Sequence, residues 1–161
     1  MPVLNIQLNA EAQGPNGEKI PVPPAIALLQ RGPIVQVSVG LEQQMARRLL
    51  QEGKLVPTPI EGLALIDTGA TTTCIDEEAA SKMGLPVIDV ATMASASEAS
   101  SEHNVHPISL IIVGSQIMIN VERAMGAALA PQGLLVLIGR DVLVNCSLVY
   151  NGPAGSFSLA M

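Results

Sequence analysis

The sequence has almost no aromatic residues and little charge of either sign. Tryptophan is absent, and Tyr150 and Phe157 are the only aromatic residues in 161 positions. Stacking of aromatic side chains on single-stranded bases is therefore nearly excluded. The net charge is −6, and Lys and Arg form no cluster, which disfavours a face that contacts phosphates. We therefore expect no nucleic acid partner.

Cysteine and long hydrophobic runs are also scarce. Cys74 and Cys146 are far apart and lack metal-ligand spacing, so we expect two reduced thiols. His103 and His106 lie close together in a polar stretch, but a metal would need further ligands, and no cofactor is implied. Residues 1–11 lack the features of a signal peptide, and no run has the length of a membrane span. These absences predict a cytoplasmic protein with no membrane partner.

Aliphatic residues are what the chain has in abundance. Its hydrophobic content is 48%, enough for an aliphatic core, and its length predicts one domain over residues 1–161. Short apolar runs separated by turn residues predict a mostly β fold with two or three helices. The clearest patterns are a strand over 34–39, a helix over 41–52 and a hairpin over 108–121. Residues 10–19 are polar, contain Gly and Pro, and predict a loop.

The stretch 63–76 is the most informative part of the sequence. Residues 63–66 are apolar, which predicts a buried strand, and the strand ends in Asp67-Thr68-Gly69. Gly69 allows a tight turn and close approach by another chain. By itself this tripeptide is also compatible with an Asx-type turn between two strands. Further along, Asp76 is a predicted helix N-cap, and residues 135–143 repeat the pattern of a buried strand broken by glycine.

The two strand ends together resemble the retropepsin-like aspartic proteases. That family has a hydrophobic-hydrophobic-Asp-Thr-Gly-Ala-Ser/Thr motif and, downstream, a hydrophobic-hydrophobic-Gly-Arg-Asp/Asn motif. Here residues 65–71 read Leu-Ile-Asp-Thr-Gly-Ala-Thr, and residues 137–141 read Leu-Ile-Gly-Arg-Asp. The resemblance covers about residues 32–161 and leaves residues 1–32 as an N-terminal extension, expected to contain a strand and a loop.

The resemblance implies a closed β-barrel of short strands, one lobe per chain, and an aspartic endopeptidase activity. Asp67 is the expected catalytic residue, supported by Thr68 and Gly69 in the catalytic loop. The residues expected to bind substrate are Ala70, Thr71, Met93, Ala94 and Ser95. The last three belong to residues 92–104, which are either a surface loop or the tip of a hairpin that closes over the substrate in retropepsins. The glycine-rich tip and the aromatic residue usual in such a hairpin are missing here.

The resemblance gives the second motif a structural role. Gly139, Arg140 and Asp141 are expected to form a supporting turn, with Asp141 as a helix N-cap. In retroviral enzymes the arginine pairs with an aspartate shortly after the first motif. Residues 71–73 are all threonine here, so Arg140 is expected to find a different partner.

The number of motifs predicts the oligomeric state. Peptide hydrolysis by carboxylates needs two of them close together, sharing one proton, and this chain has a single Asp-Thr-Gly. A homodimer that brings together Asp67 of both subunits is the simplest solution. The expected partners are a second copy of the chain and a peptide or protein substrate. The alternative is a dimeric peptide-binding or scaffold module on the same fold, with little or no hydrolysis.

Overall fold

The computed structural model describes residues 1–95 and 98–161, and most of them are in β-strands. In these ranges the strands are β1 (Val3–Gln7), β2 (Ala10–Gln13), β3 (Lys19–Val22), β4 (Ile34–Leu41), β5 (Ile60–Ile66), β6 (Cys74–Asp76), β7 (Asp89–Ser95), β8 (Glu98–Ile112), β9 (Met118–Ala127), β10 (Val136–Ile138), β11 (Ser147–Asn151) and β12 (Ser156–Ala160). The helices are α1 (Pro24–Arg31), α2 (Gln43–Gln51), α3 (Glu77–Met83) and α4 (Arg140–Leu143), with a 3₁₀ turn at Ala130–Gln132. None of these helices is long and apolar enough to cross a membrane.

Six strands close into a barrel. Their order is β4-β5-β10-β6-β9-β8, and β8 pairs again with β4 to complete the ring. The interior is aliphatic, as the composition predicts. Val37, Val39, Ile108, Leu110 and Ile112 are among the fully buried residues. The predicted closed barrel of short strands is therefore confirmed.

One strand connects the two sequence motifs. β10 inserts between β5, to which it is parallel, and β6, to which it is antiparallel. Leu137 pairs with Leu65 and Ile138 with Ile66, so both strands end at the same edge of the sheet. As a result, the turn that begins at Asp67 lies directly beside Gly139.

The N-terminal extension takes part in a second sheet, with the order β1-β12-β11. Val3 pairs with Ala160, and Ser147 pairs with Ala160 from the other side. The resemblance to retropepsins implies that the C-terminal strand, predicted over residues 156–161, enters a sheet between subunits. Here both edges of β12 are already paired within its own chain, so an intersubunit sheet would have to form at the edge of β1 or β11.

Two predictions in the N-terminal third are wrong. Residues 10–19, predicted as a loop, contribute to a hairpin of β2 and β3. Both strands are largely exposed, so they carry no alternating pattern to detect. Pro21, Pro23 and Pro24 predict that the segment after them is extended or looped, whereas residues 24–31 form helix α1. Pro24 occupies the first turn of α1, where a missing N–H costs nothing.

Helix α2 begins two residues later than predicted. Leu41 is the last residue of β4 and pairs with Ile108. Glu42 precedes the helix, and its carboxylate accepts hydrogen bonds from the N–H groups of Gln44 and Met45. The sequence pattern places Leu41, Met45, Leu49 and Leu50 on one face. Met45 packs on the core, but Leu50 is 65% exposed. The helix therefore covers the barrel with a narrower face than expected.

Strands β7 and β8 form a hairpin that extends from the barrel. Asp89 pairs with Val105 at its base, and Ser95 pairs with Glu98 near its tip. This confirms a hairpin at residues 92–104, which were expected to be either a surface loop or the tip of a hairpin. Residues 96 and 97 lie outside the described residues.

Candidate active site

The Asp67 turn leaves the barrel at the end of β5. The Asp67 N–H donates to the carbonyl of Ile138 at 2.9 Å, and the Asp67 carbonyl accepts from Ala70 N–H at 3.3 Å. The Asp67 carboxylate oxygen Oδ1 accepts from Gly69 N–H at 2.7 Å. Asp67 is half-buried, whereas Thr68 and Gly69 are exposed. The turn thus holds a carboxylate at the edge of the core, next to an open surface.

Arg140 closes the turn from the other side. Its guanidinium donates to the carbonyl oxygens of Thr68 at 3.0 Å and Gly69 at 3.3 Å, and to the Thr71 hydroxyl at 2.8 Å. The main chain adds a bond from Arg140 N–H to the Ala70 carbonyl at 2.9 Å. The different partner predicted for Arg140 is therefore this turn itself, held through carbonyl groups and one hydroxyl in place of a carboxylate.

Thr73 and Asp141 form a second brace beneath the turn. Thr73 is completely buried, and its hydroxyl donates to Asp141 Oδ1 at 2.8 Å and accepts from Gly139 N–H at 3.0 Å. The Thr73 N–H donates to Asp141 Oδ2 at 3.0 Å.

The prediction of Asp141 as a helix N-cap is wrong: Gly139 is the N-cap of α4, and the Asp141 carboxylate instead binds Thr73, directly before β6. The sequence did not predict that the Thr73 hydroxyl both donates and accepts a hydrogen bond, because three consecutive threonines do not indicate which side chain faces the interior.

Gly139 allows the two motifs to approach each other. A β-carbon at this position would lie 2.6 Å from the Thr72 carbonyl carbon and 2.9 Å from the Thr73 nitrogen. Both contacts are with backbone atoms, which could move only if the brace opened. The glycine of the second motif is therefore required by packing against the first.

A small apolar cluster lies beside the turn, along β6. Cys74, Met125 and Leu129 form a small buried cluster, with Leu137 and Ala91 packed against it. Burial, with smaller contributions from the carboxylates of Asp141 and Asp67, raises the pKa of the Cys74 thiol to about 11. Cys74 is thus a neutral thiol near neutral pH and acts as an apolar side chain.

The other predicted site residues divide into two groups. Thr68, Gly69, Ala70 and Thr71 all lie in the Asp67 turn, which the structure joins to Gly139, Arg140 and Asp141. Residues 93–95 lie in β7 of the hairpin, but the side chains of Met93, Ala94 and Ser95 are outside the described part of the structure. Substrate contacts of either group stay a prediction.

Comparison with known proteins gives a family match and similarity to solved structures. The family model for aspartyl proteases matches residues 58–142, which is more than half of the chain. A comparison with curated proteins found none that matches. Among solved structures, the chain is similar to the crystal structure of a retropepsin-like aspartic protease from Rickettsia conorii. That match covers 98% of this chain and 92% of the other, with 12% identity and a TM-score of 0.43.

Proposed function

Because the chain belongs to the aspartyl protease family, we propose that it is an aspartic endopeptidase that acts as a homodimer. The catalytic pair is Asp67 of one subunit and Asp67 of the other, and the substrate is a peptide or a protein. The observation that supports this proposal most directly is the half-buried carboxylate of Asp67 at the end of β5. Arg140 and the hydrogen bonds between Thr73 and Asp141 hold its turn in place.

The chemistry requires a shared proton. Two carboxylates at close range cannot both ionise, so one stays ionised and the other protonated. The ionised carboxylate takes a proton from water as the water attacks the peptide carbonyl carbon. The protonated carboxylic acid donates its proton to the carbonyl oxygen. The pair titrates as one unit with two apparent pKa values.

The open position of the turn supports the dimer. The sequence has one Asp-Thr-Gly, and in a single chain Thr68 and Gly69 are exposed beside a half-buried carboxylate. A second subunit placed on this surface would cover the two exposed residues and supply the second carboxylate. We propose that Thr68 hydrogen-bonds across this interface, and that Gly69, without a side chain, leaves room for substrate over Asp67.

The apolar cluster supports a preference in the substrate. Cys74, Met125 and Leu137 continue from the catalytic turn and present no charged group. We propose that Ala70 and Thr71 of the turn line the cleft together with Leu137, which is half-buried at the edge of the cluster. A charged substrate side chain placed there would lose its hydration without gaining a partner. The proposal is therefore cleavage next to aliphatic residues.

Replacement of Asp67 by asparagine is the direct test. Purified wild-type protein and Asp67→Asn are incubated with a peptide library from about pH 3 to about pH 7. We expect cleavage by the wild type and a loss of at least about a thousandfold in Asp67→Asn, because the amide can neither share the proton nor activate water. Glu61→Gln, an exposed carboxylate-to-amide change on the same strand, is the matched control and should retain activity.

The outcomes separate the proposal from its alternative. Cleavage that persists in Asp67→Asn would refute Asp67 as the catalytic residue. Peptide binding without cleavage by a dimeric wild type would favour the peptide-binding module, the second function that this fold allows.

A further inference from the structure

Strand β8 changes its neighbour halfway along its length. From Ile108 to Ile112 it pairs with β4 in the barrel, and up to Val105 it pairs with β7 in the hairpin. Between these two parts lie His106 and Pro107, where the register with β9 also shifts. His106 and Pro107 are therefore the hinge between the barrel and the hairpin that extends from it.

His106 is buried at this hinge and faces two hydrogen-bond acceptors. Its side chain is 1% exposed. Nδ1 lies 3.1 Å from the Pro86 carbonyl oxygen, and Nε2 lies 3.1 Å from Oε2 of Glu77. Pro86 belongs to the segment that leads into β7, and Glu77 is the first residue of α3. One imidazole thus connects both strands of the hairpin base to a helix outside the hairpin.

The Glu77 carboxylate holds a second residue of the hairpin. Its Oε1 accepts from the side-chain amide of Asn104 at 2.7 Å, so residues on both sides of Val105 bind one carboxylate. Gly126 on β9 provides the space, because a β-carbon there would collide with Glu77 Oε2. Glu77 follows Asp76, which ends β6, the strand that starts beneath the Asp67 turn. The contacts therefore form a continuous path from the hairpin base to the candidate catalytic loop.

The two acceptors determine the number of protons that the hinge needs. A carbonyl oxygen and an ionised carboxylate can only accept, and a neutral imidazole has only one N–H to donate. Both contacts of His106 are hydrogen bonds only when the His106–Glu77 pair carries one further proton, either on the imidazole or on the carboxylate. When that proton leaves, one of the two nitrogens faces an acceptor with no hydrogen between them, at a buried position where an unmade hydrogen bond is costly.

We infer that His106 and Glu77 are positioning residues for the proposed protease, and that their shared proton fixes the base of the β7–β8 hairpin. The inference rests on the proposed function only for its effect on substrate. In acid, where an aspartate pair works, the hinge is complete and the hairpin base is firmly attached to α3. As the pH rises the hinge loses one hydrogen bond, the hairpin base opens more often, and substrate is bound less well.

The other charged groups near the hinge are paired elsewhere or exposed. Asp89 on β7 binds Arg123 on β9 at 2.6 Å, and Glu78 on α3 binds Lys82 at 2.6 Å. Besides His106, the titratable groups on β8 and β9 outside these pairs whose side chains the structure describes are Glu102, His103 and Glu122. His103 binds the Gly126 carbonyl through Nδ1 at 2.7 Å and the Ser101 hydroxyl through Nε2 at 2.7 Å; Glu102 and Glu122 are exposed. Among the described residues, Glu77 is thus the charged group in direct contact with His106.

The test uses Glu77→Gln, which removes the need for the extra proton. A glutamine amide can donate to Nε2 of a neutral His106 while its oxygen still accepts from Asn104, so all three contacts survive without a titrating pair. Glu77→Ala removes the contacts altogether. Glu78→Gln makes the same chemical change at the next residue and leaves His106 untouched.

The first readout is hydrogen exchange, measured in the inactive Asp67→Asn chain. The amide of Ile88 donates to the Val105 carbonyl at 2.9 Å and reports opening of the hairpin base. In the Asp67→Asn chain, and in the same chain carrying Glu78→Gln, we expect the protection factor of this amide to fall roughly tenfold between about pH 5 and about pH 8. When Glu77→Gln is added, the protection factor should stay constant over this range. When Glu77→Ala is added, it should be low at every pH. Equal profiles with Glu77 and Glu77→Gln would overturn the inference.

The second readout is kinetic and uses active protein. The KM of a cleaved peptide should rise several-fold over the same pH range in the wild type but not in Glu77→Gln, whereas kcat should follow the Asp67 pair in both. A KM that changes equally in both proteins would also overturn the inference. If the wild type cleaves no peptide, the proposed function fails, but the exchange profiles still decide whether the hinge depends on a proton.

Discussion

At the scale of single residues, the hydroxyl of Thr73 supports much of the Asp67 turn. It is buried, it donates to Asp141 and it accepts from Gly139. These bonds join the strand that leaves the Asp67 turn to the second motif. A polar group in this position is stabilising only while both of its partners stay in place.

Replacement of Thr73 by valine tests this role. Valine has nearly the same shape but neither donates nor accepts, so Asp141 loses a donor and the Gly139 N–H loses its acceptor. We expect the free energy of unfolding to fall by about 2 kcal/mol, with a larger fractional loss of activity than of folded protein. Urea denaturation and peptide cleavage measure the two effects.

The neighbouring threonine offers a control for this prediction. Thr72→Val makes the same chemical change one residue earlier and removes none of the hydrogen bonds of the brace. Equal losses in the two variants would mean that the brace has no special role.

At the scale of elements, Asp76 connects helix α3 to the 3₁₀ turn. Its carboxylate accepts from Ala79 N–H at 3.1 Å as the helix N-cap. It also accepts from the N–H groups of Leu129 at 2.9 Å and Ala130 at 2.8 Å. The predicted N-cap is therefore confirmed, and its further contacts fix the segment between β9 and β10.

These contacts make the stability of the protein depend on pH through Asp76. Burial acts to raise the pKa of Asp76, but the N–H groups of Ala130, Ala79 and Leu129 outweigh it and hold the pKa below its ordinary value of 3.8. A lowered pKa in the folded state means that the carboxylate contributes its stability in full above the pKa of the unfolded chain. That contribution is lost as the pH falls through the lower folded value.

Asp76→Asn measures this contribution. At neutral pH we expect a loss of about 2 kcal/mol in the free energy of unfolding, because the amide offers one accepting oxygen where three N–H groups need partners. The difference from the wild type should shrink below about pH 4, where the wild-type carboxylate begins to protonate in the unfolded chain. Denaturation at fixed protein concentration at the two pH values is the measurement. A difference that stays constant into acid would contradict the assignment, and Glu78→Gln should show neither effect.

At the scale of the whole molecule, the proposed site is incomplete in one chain. The Asp67 turn is at the surface, and in the proposed mechanism the second carboxylate comes from another chain. Among the described residues, β1 and β11 are the edge strands of the terminal sheet, and pairing at such edges is a common route to association.

Mixing of subunits tests the shared site. If each active site uses Asp67 of two chains, an equal mixture of wild type and Asp67→Asn, once exchanged, contains wild-type dimers as about a quarter of the total. Activity should then be about a quarter of that of the same total concentration of wild type. A value near one half would show that each chain acts alone and would contradict the dimeric site.

The sequence predicted the candidate site better than the elements around it. Asp67, Gly139 and Arg140 are recognisable because each motif places a few residue types in a fixed order after a buried strand. Residues 10–19 and helix α1 were missed for a physical reason. An exposed hairpin has no buried face, so its sequence does not alternate between apolar and polar residues. Proline is compatible both with the first turn of a helix and with an extended segment.

The sequence by itself determined the aliphatic core and the mostly β fold, because these follow from composition and local periodicity. The closed barrel and the aspartate on which the proposed chemistry depends followed from the resemblance of two short motifs to those of retropepsins. Only the tertiary structure decided which groups meet. In the structure Arg140 donates to carbonyl groups of the Asp67 turn, and Asp141 binds Thr73 and is not a helix cap. His106 lies between Glu77 and the Pro86 carbonyl. Those partners lie 20 to 72 positions apart in the chain, and local sequence carries no signal about contacts over such separations.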